Sequence, residues 1–468
     1  MTSSSPFGKP LAELQSADLA VLKEVHESWH VEYKREVNVA KVLAKSIGAL
    51  ANTLGGWLII SIEESDEGDG TAGEFPGLDG NQLSLLLQRL GPSINAHLQP
   101  VPHFEHRILG GPCETIGLDR DRSVVAVWVP MSMHTPHIHS DGRVYERVGD
   151  TSQPRPISER HLLDELWRRG DRVRDATQRW VQDDPEFSED ERRRPYLRLL
   201  LTPDPWNPTL SLPSLSIQRF REVVLEPVSG ERRMPFDSVY SDHVGLVARQ
   251  IFTNDPRELG LTLIVRKNCT CDVVIPMNIH SGGADELERS LGQGYQHAGQ
   301  YTQLLRRKNY WRNGDDQPLS VVDLNHVLYV LDAIVNQYRA LLGLLRTDST
   351  FHFKARLLYA SRMLPFVDVS SVLDRFDADG VPMVMHAKAT IPPGHDPDSF
   401  AISESRSSPT ARMPNTIRSS TDQALDVFFR IFHAIGISGI VDEPGSVDAS
   451  VAQELANAAE RASNRVSK

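Results

Sequence analysis

The chain has 468 residues, of which 40% are hydrophobic and 24% charged, and its net charge is −12. That length exceeds one ordinary core, so two or three domains of a globular, water-soluble protein are expected. The acidic balance argues against a sequence-independent nucleic-acid coat working through a basic face. It leaves room for a nuclease, because bound divalent cations invert the local field.

The three cysteines are Cys113, Cys269 and Cys271. An odd number without paired C-x-x-C motifs fits neither a disulfide framework nor a zinc ribbon, and predicts a cytoplasmic, reducing location. Met1 to Gln15 shows no cationic start followed by an apolar run, so no signal peptide is expected. No window reaches the roughly 18 apolar residues of a membrane span, so no membrane partner is expected.

Ser16 to Val25 has helical apolar spacing, with Ser16 as a candidate N-cap. Glu27-Ser28-Trp29 leads into an alternating strand, His30 to Lys34, with Val31 and Tyr33 on one face and His30, Glu32 and Lys34 on the other. In an unbroken strand Glu27 and Glu32 would face opposite sides, so their convergence requires a turn near Ser28-Trp29.

Asn38 is a candidate cap for a helix to Leu54, whose stripe is Val39, Val42, Leu43, Ile47, Leu50 and Leu54. Gly55 is its expected left-handed stop. Trp57 to Ile62 reads as a central strand covered on both faces, emptying into an acidic loop, Glu63 to Gly70. Ligand sites in open α/β sheets lie at such carboxyl ends. A helix over Asn81 to Leu90 is expected to stop at Gly91-Pro92. Strands follow over Val101 to Leu109, Ser123 to Pro130 and Arg143 to Val148, then a helix over Ile157 to Arg169.

The charged stretch 173–195, with Arg192-Arg193-Arg194, reads as a fraying helix and linker. Residues 196–468 read as a second α/β region. Tyr196 to Leu201, Leu261 to Val265, Cys271 to Pro276, Phe351 to Tyr359 and Pro382 to Thr390 are strand-like, and Ala284 to Tyr310 is polar and helical. Val321 to Arg346 carries a stripe of Leu328, Val330, Leu331, Ile334, Tyr338, Leu341 and Leu345, which suits packing on its own sheet better than a dimer seam. Asp396 to Ser420, with Arg406, Arg412 and Arg418, reads as a long loop, with a phosphate-touching flap as the sharper alternative. Asp422 to Ile435 is an apolar helix. The alanine-rich tail from Asp448 is expected to be an exposed helix.

The first domain, residues 1–172, resembles the Schlafen-type AlbA domain. Glu27-Ser28 with Val31-Glu32-Tyr33-Lys34 matches E-S-x-x-V-E-F-K. Ala51-Asn52-Thr53, Gly55-Gly56, Leu58 and Ile60 match A-N-T-x-G-G-x-L-x-I. Pro136-His137 and Tyr145-x-Arg147-Val148-Gly149-Asp150 match a P-H and a Y-x-R-x-G segment. The resemblance covers Ser16 to Gly170. It implies an AlbA-like α/β domain and a metal-dependent endoribonuclease activity on tRNA-like RNA, in a stress or phage-defence setting. RNA is favoured over DNA, and a homodimer would build the groove that animal relatives make from two lobes.

In that family two carboxylates come from the first motif, here Glu27 and Glu32. The third follows the G-G-x-L strand, here Glu64 by strict register or Glu63 if the strand slips. A glutamate therefore stands where the family has aspartate, and Ser61 stands where it has glycine. Clustered carboxylates hold Mg²⁺ or Mn²⁺ through oxygen, and Lys34 on the strand face of Glu32 suits a phosphate oxygen. Tyr145, Arg147 and His137 are candidate nucleic-acid contacts, by stacking or clamping. His134-x-x-His137-x-His139 has metal-like spacing, but the following Ser-Asp-Gly reads as a hairpin tip. No Walker A motif is present. The alternative is a non-catalytic nucleic-acid-binding regulator or a ligand sensor.

Overall fold

The computed structural model describes residues 5–9, 11–35, 40–65, 70–149, 153–206, 215–225, 236–251, 255, 257–312, 314–345, 349–404, 419–437 and 449–466. The expected cap Asn38 and the flap arginines Arg406, Arg412 and Arg418 lie outside the described residues. The chain forms two compact units, Met1–Ala176 and Thr177–Lys468. Both mix helix and strand, as expected for an α/β protein.

Unit 1 opens with two 3-10 helices, Leu11–Glu13 and Ser16–Glu24, followed by β1 (Val31–Lys34), α1 (Ala40–Asn52), β2 (Gly55–Ile60), β3 (Glu63–Glu64) and β4 (Ala72–Glu74). Then come α2 (Gly80–His97), β5 (Leu98–Gln99), β6 (Glu105–Gly110), β7 (Ser123–Pro130), β8 (Ile138–His139), β9 (Tyr145–Glu146), β10 (Arg155–Pro156) and α3 (Arg160–Gln182). The main sheet runs β1-β2-β7-β6, with β1 parallel to β2 and the other pairs antiparallel. Strand alternation sorts its two faces. Val31, Tyr33, Trp57, Ile59, Val124 and Ala126 pack with Leu19 and Leu22. Leu58, Ile60, Val125, Val127 and Val129 pack with Leu43, Ile47 and Leu50 of α1 and Leu86, Leu90 and Ile94 of α2.

Several boundaries differ from the sequence reading. Ser16 is not the cap of the first helix: its hydroxyl donates to the Gly110 carbonyl, while Asp18 accepts from the backbone of Gln15. Val42 and Leu54 sit outside the buried stripe of α1, at 37% and 51% exposure. α2 is capped by Asp79, which accepts from Asn81 and Gln82, and it continues through Gly91-Pro92 to His97. A helix-interior proline costs about 3 kcal/mol. The turn beyond it is held because Ile94 is fully buried between helix and sheet.

Unit 2 comprises β11 (Tyr196–Thr202), α4 (Ile217–Leu225), β12 (Ser238–Ser241), β13 (Leu246–Arg249), β14 (Thr262–Val265), β15 (Cys271–Pro276), β16 (Ile279–Gly282), α5 (Ala284–Gly292) and α6 (Ala298–Arg307). It continues with β17 (Leu319–Asp323), α7 (Leu324–Leu344), β18 (Phe351–Leu358), β19 (Leu364–Phe366), α8 (Ser370–Asp379), β20 (Lys388–Ile391), β21 (Ala401–Ser403), α9 (Ser419–Ile435) and α10 (Ala449–Val466). Among the described residues an eight-stranded antiparallel sheet runs β12-β13-β14-β15-β11-β18-β20, with β21 also on β18. A smaller sheet runs β16-β17-β19.

α7 is the core helix of this unit, and its stripe from Leu328 to Leu345 lies buried there, which leaves no seam for a partner copy. By length and composition it is apolar enough to cross a membrane, as core helices can be. The tail helix α10 is not exposed: Ala452, Leu455, Ala458, Ala459 and Ala462 are buried, their small side chains allowing close approach. In the charged stretch before β11, the carbonyls of Trp180, Val181 and Asp183 accept from Arg198, and those of Val181 and Gln182 from Arg356. Two buried arginines of the sheet thus cap the end of α3, the place where its last carbonyls need donors.

Candidate functional site

Glu27 precedes a tight turn in which the Ser28 N–H donates to the Val31 carbonyl at 3.0 Å. A turn is thus present at Ser28-Trp29 and Glu27 lies outside β1, but the turn does not bring Glu27 and Glu32 together as expected. Its carboxylate reaches back along the strand and accepts from the Tyr33 N–H at 2.6 Å. β1 is an edge strand, so this carboxylate supplies the partner that a further strand would otherwise provide. The Glu27 backbone N–H donates to Gly70, tying it to the loop between β3 and β4. Burial pushes the Glu27 carboxyl up to about 7 against the Tyr33 N–H, and the charge of Glu64 adds to the rise.

Glu32 points the other way, into the space under α1, and is fully buried. One carboxylate oxygen accepts from the Ser46 hydroxyl at 2.6 Å and pairs with Lys34 at 2.9 Å. The other lies 3.3 Å from the Arg147 guanidinium, itself fully buried. Arg147 also donates to the carbonyls of Ser28 and Val31, at 3.0 and 3.3 Å. One arginine thus neutralises Glu32 and clamps the turn that presents Glu27.

The remaining motif residues build the frame around these two carboxylates. Asn52 is buried at the end of α1; its amide donates to the carbonyls of His137 and Tyr145, and its oxygen accepts from the His137 N–H. Gly55 and Gly56 both have positive φ. A Cβ on Gly55 would collide with the Met131 backbone, and one on Gly56 with the His30 carbonyl. Arg169 donates to the carbonyls of Asn52 and Thr53, capping α1.

Residues 27–156 match the family described as Schlafen, AlbA_2. The N-terminal unit carries a Schlafen AlbA_2 domain. This match points to a nucleic-acid-related function. No curated protein matches the chain. Among solved structures, the DIP2311 protein of Corynebacterium diphtheriae is matched at 17% identity and a TM-score of 0.20, over 70% of this chain and 52% of that one. The chain therefore spans about half the length of that protein, and at that score no correspondence is drawn from it.

Within the AlbA_2 domain, the expected site residues divide. Glu64 is exposed, and its charge acts on the Glu27 carboxyl. Glu63 pairs with Arg35. Glu32 is committed to Ser46, Lys34 and Arg147. Among the described residues no group of three or more His, Cys, Asp or Glu is arranged to hold a metal ion.

The three residues expected to contact nucleic acid are interior. Arg147, His137 and Tyr145 are 0%, 1% and 4% exposed. His137 donates through Nδ1 to the Pro100 carbonyl, and burial holds its imidazole down at about 4, so the ring is neutral. The Tyr145 hydroxyl donates to Asp141, and Lys45 lies over the ring at 4.3 Å. His139 is buried beside Asp141, 3.0 Å away, at the hairpin tip expected from the Ser-Asp-Gly that follows. Cys269 and Cys271 are buried in the core of unit 2, Cys271 at the start of β15 and Cys269 on the turn before it with φ 58°.

The sequence reading quoted Asn52 inside a motif without giving it a task, and missed Ser46 and Arg169. A polar residue within an apolar helical stripe was the available signal for Ser46. Unit 2 contains a second polar centre that no motif announced. There Asp323 caps α7 through Asn325 and His326 and accepts from the Tyr295 hydroxyl at 2.5 Å. Asn325 links it to the buried Asp368, which accepts from Arg461 at 2.6 Å and from the His297 N–H.

Proposed function

We propose that the AlbA_2 domain is a metal-dependent nuclease acting on structured RNA of the tRNA type, with its site at the free edge of β1. The observation that carries the reading is the placing of Glu27. The Ser28–Val31 turn sets it, half-buried, at the edge of β1 against the Tyr33 N–H, where the charge of the exposed Glu64 acts on it, while Lys34 is held at the end of the same strand. Two neighbouring carboxylates fit a hard divalent cation, since Mg²⁺ is commonly bound by one or two carboxylates plus waters and substrate phosphate.

Glu27 and Glu64 would hold Mg²⁺ or Mn²⁺. The ion, when bound, would supply charge neutralisation on a phosphate oxygen and an acidified water. Glu27 orients itself through the Tyr33 N–H, and its raised affinity for a proton suits proton exchange with such a water near neutral pH. Lys34 would act on phosphate as a point charge. Glu32 takes no direct part; it holds Lys34 in place and balances Arg147.

The test is incubation of the full chain with labelled tRNA and single-stranded DNA, in Mn²⁺ or EDTA, comparing wild type with Glu27→Gln and Glu64→Gln. Expected is Mn²⁺-dependent cutting of tRNA, lost in both variants. Wild type that cuts neither substrate in Mn²⁺ sinks the nuclease reading. A second reading, a non-catalytic nucleic-acid-binding regulator, is favoured by the structural commitment of Glu32, Asn52, His137 and Arg147. Undiminished binding of uncut nucleic acid by all three proteins would select it.

A further inference from the structure

Trp29 sits on the turn between Glu27 and β1 and is 44% exposed. Exposed large apolar side chains occur singly on most protein surfaces. This one differs in how firmly it is displayed. The carbonyls flanking it, of Ser28 and Val31, are both held by the buried Arg147 guanidinium, and the Ser28 hydroxyl accepts from the next N–H, that of His30. Beneath the indole lies Gly149, where a Cβ would collide with the ring of Trp29. The glycine of the Y-x-R-x-G segment thus lets the ring rest on bare backbone, leaving its outer side open to solvent.

The display is also in the right place. Trp29 is two residues from Glu27 along the chain, on the turn that leads into the strand whose Tyr33 N–H holds the Glu27 carboxylate at 2.6 Å. Stacking on an aromatic face needs no particular base, because every base has a π-face. It does need a base that is unpaired, since the faces of a paired base are covered by its neighbours in the helix.

We propose that Trp29 is a base-stacking platform, so that this site takes an unpaired, splayed-out nucleotide and not a base pair within an intact helix. The inference rests on the nucleic-acid reading of the Glu27–Glu64 edge and adds the class of substrate to it. Trp29 is a positioning residue here. It fixes where the strand lies relative to the two carboxylates and touches no reacting atom.

The experiment measures binding of fluorescein-labelled RNA by anisotropy, in EDTA so that no cutting occurs. An unstructured oligoribonucleotide is compared with a blunt duplex of the same sequence, using full-length wild type, Trp29→Ala and Trp29→Phe. Loss of one stacked base by alanine substitution corresponds to about 5- to 150-fold weaker binding of the single strand. Trp29→Phe is expected to retain most of the affinity, and both variants to melt at the wild-type temperature. In the cutting assay Trp29→Ala raises KM with kcat little changed. Wild type that binds the single strand, with Trp29→Ala binding it equally well, overturns the platform and leaves the nuclease reading standing. A duplex held as tightly as the single strand overturns it too. Wild type that binds neither RNA overturns the platform, and the Mn²⁺ cutting assay decides the nuclease reading separately.

Discussion

The two sides of β1 carry the same kinds of residue and put them to opposite uses. Under α1, Glu32 is surrounded by Ser46, Lys34 and Arg147, and every charge has a partner. At the free edge, Glu27 has one backbone N–H and the adverse charge of Glu64. A buried carboxylate without a counter-charge would shed its ionisation, so the interior glutamate must be paired. Glu27 is half-buried and only partly compensated, so its carboxyl holds a proton up to about 7. The interior pair therefore serves the fold, and the edge pair is the one on which the proposed chemistry rests. The same division holds in unit 2, where the buried Asp368 carboxylate is met by Arg461 and by the backbone N–H groups of Gln296 and His297.

The largest effect that would break this comparison lies in the interior. Removing one partner of a buried ion pair costs about 3–5 kcal/mol because the other charge stays behind. Arg147→Ala is expected to lower the stability of the AlbA_2 domain by that amount, read as a lower urea midpoint. Any loss of nuclease activity in this variant should follow the loss of fold. Arg147→Ala at wild-type stability would show that Glu32 is not held as described.

At the edge the expectation is reversed. Glu27→Gln should cut cleavage by about 100-fold or more, the scale of a lost proton-transfer group, while the domain stays folded. The pH dependence follows from its direction of shift. The folded protein holds the Glu27 proton up to about 7, whereas the ordinary value is 4.5. Its contribution to stability is thus fully present below about 4.5 and is lost as pH rises through about 7. Melting temperature against pH should show this decline in wild type and a flatter profile in Glu27→Gln. Identical profiles would mean that the carboxyl is not buried as the structure has it.

The smallest effect concerns the link between the two regions. Ser61 follows β2 with φ 75°, a left-handed conformation that costs a non-glycine residue about 1–2 kcal/mol. Its N–H donates to the Lys34 carbonyl at 2.6 Å, where β1 and β2 part toward Glu63 and Glu64. Ser61→Gly is expected to raise stability by about 0.5–1 kcal/mol once the greater freedom of unfolded glycine is set against the relieved strain. Denaturant unfolding measures it, and a destabilised variant would contradict the assignment.

Much of this protein was legible in its sequence. Alternation along Val31 to Lys34 and the unbroken apolar run after Gly56 sufficed to place the strands β1 and β2, because side chains in strands have a period of two; their parallel pairing was visible only in the structure. The match to the Schlafen AlbA_2 family followed from motifs in order. Sequence could not say which carboxylate would be free. That depended on Arg147, more than a hundred residues away, folding back under the turn. It could not foresee that Asn52 would join the His137 and Tyr145 segments, or that α2 would pass through Pro92, since burial of distant side chains outweighs local preference. Local pattern determined the elements and the register of the acidic edge. Only tertiary packing decided which charges were paired inside and which were left at the surface, because desolvation is set by everything that surrounds a group and not by its neighbours in the chain.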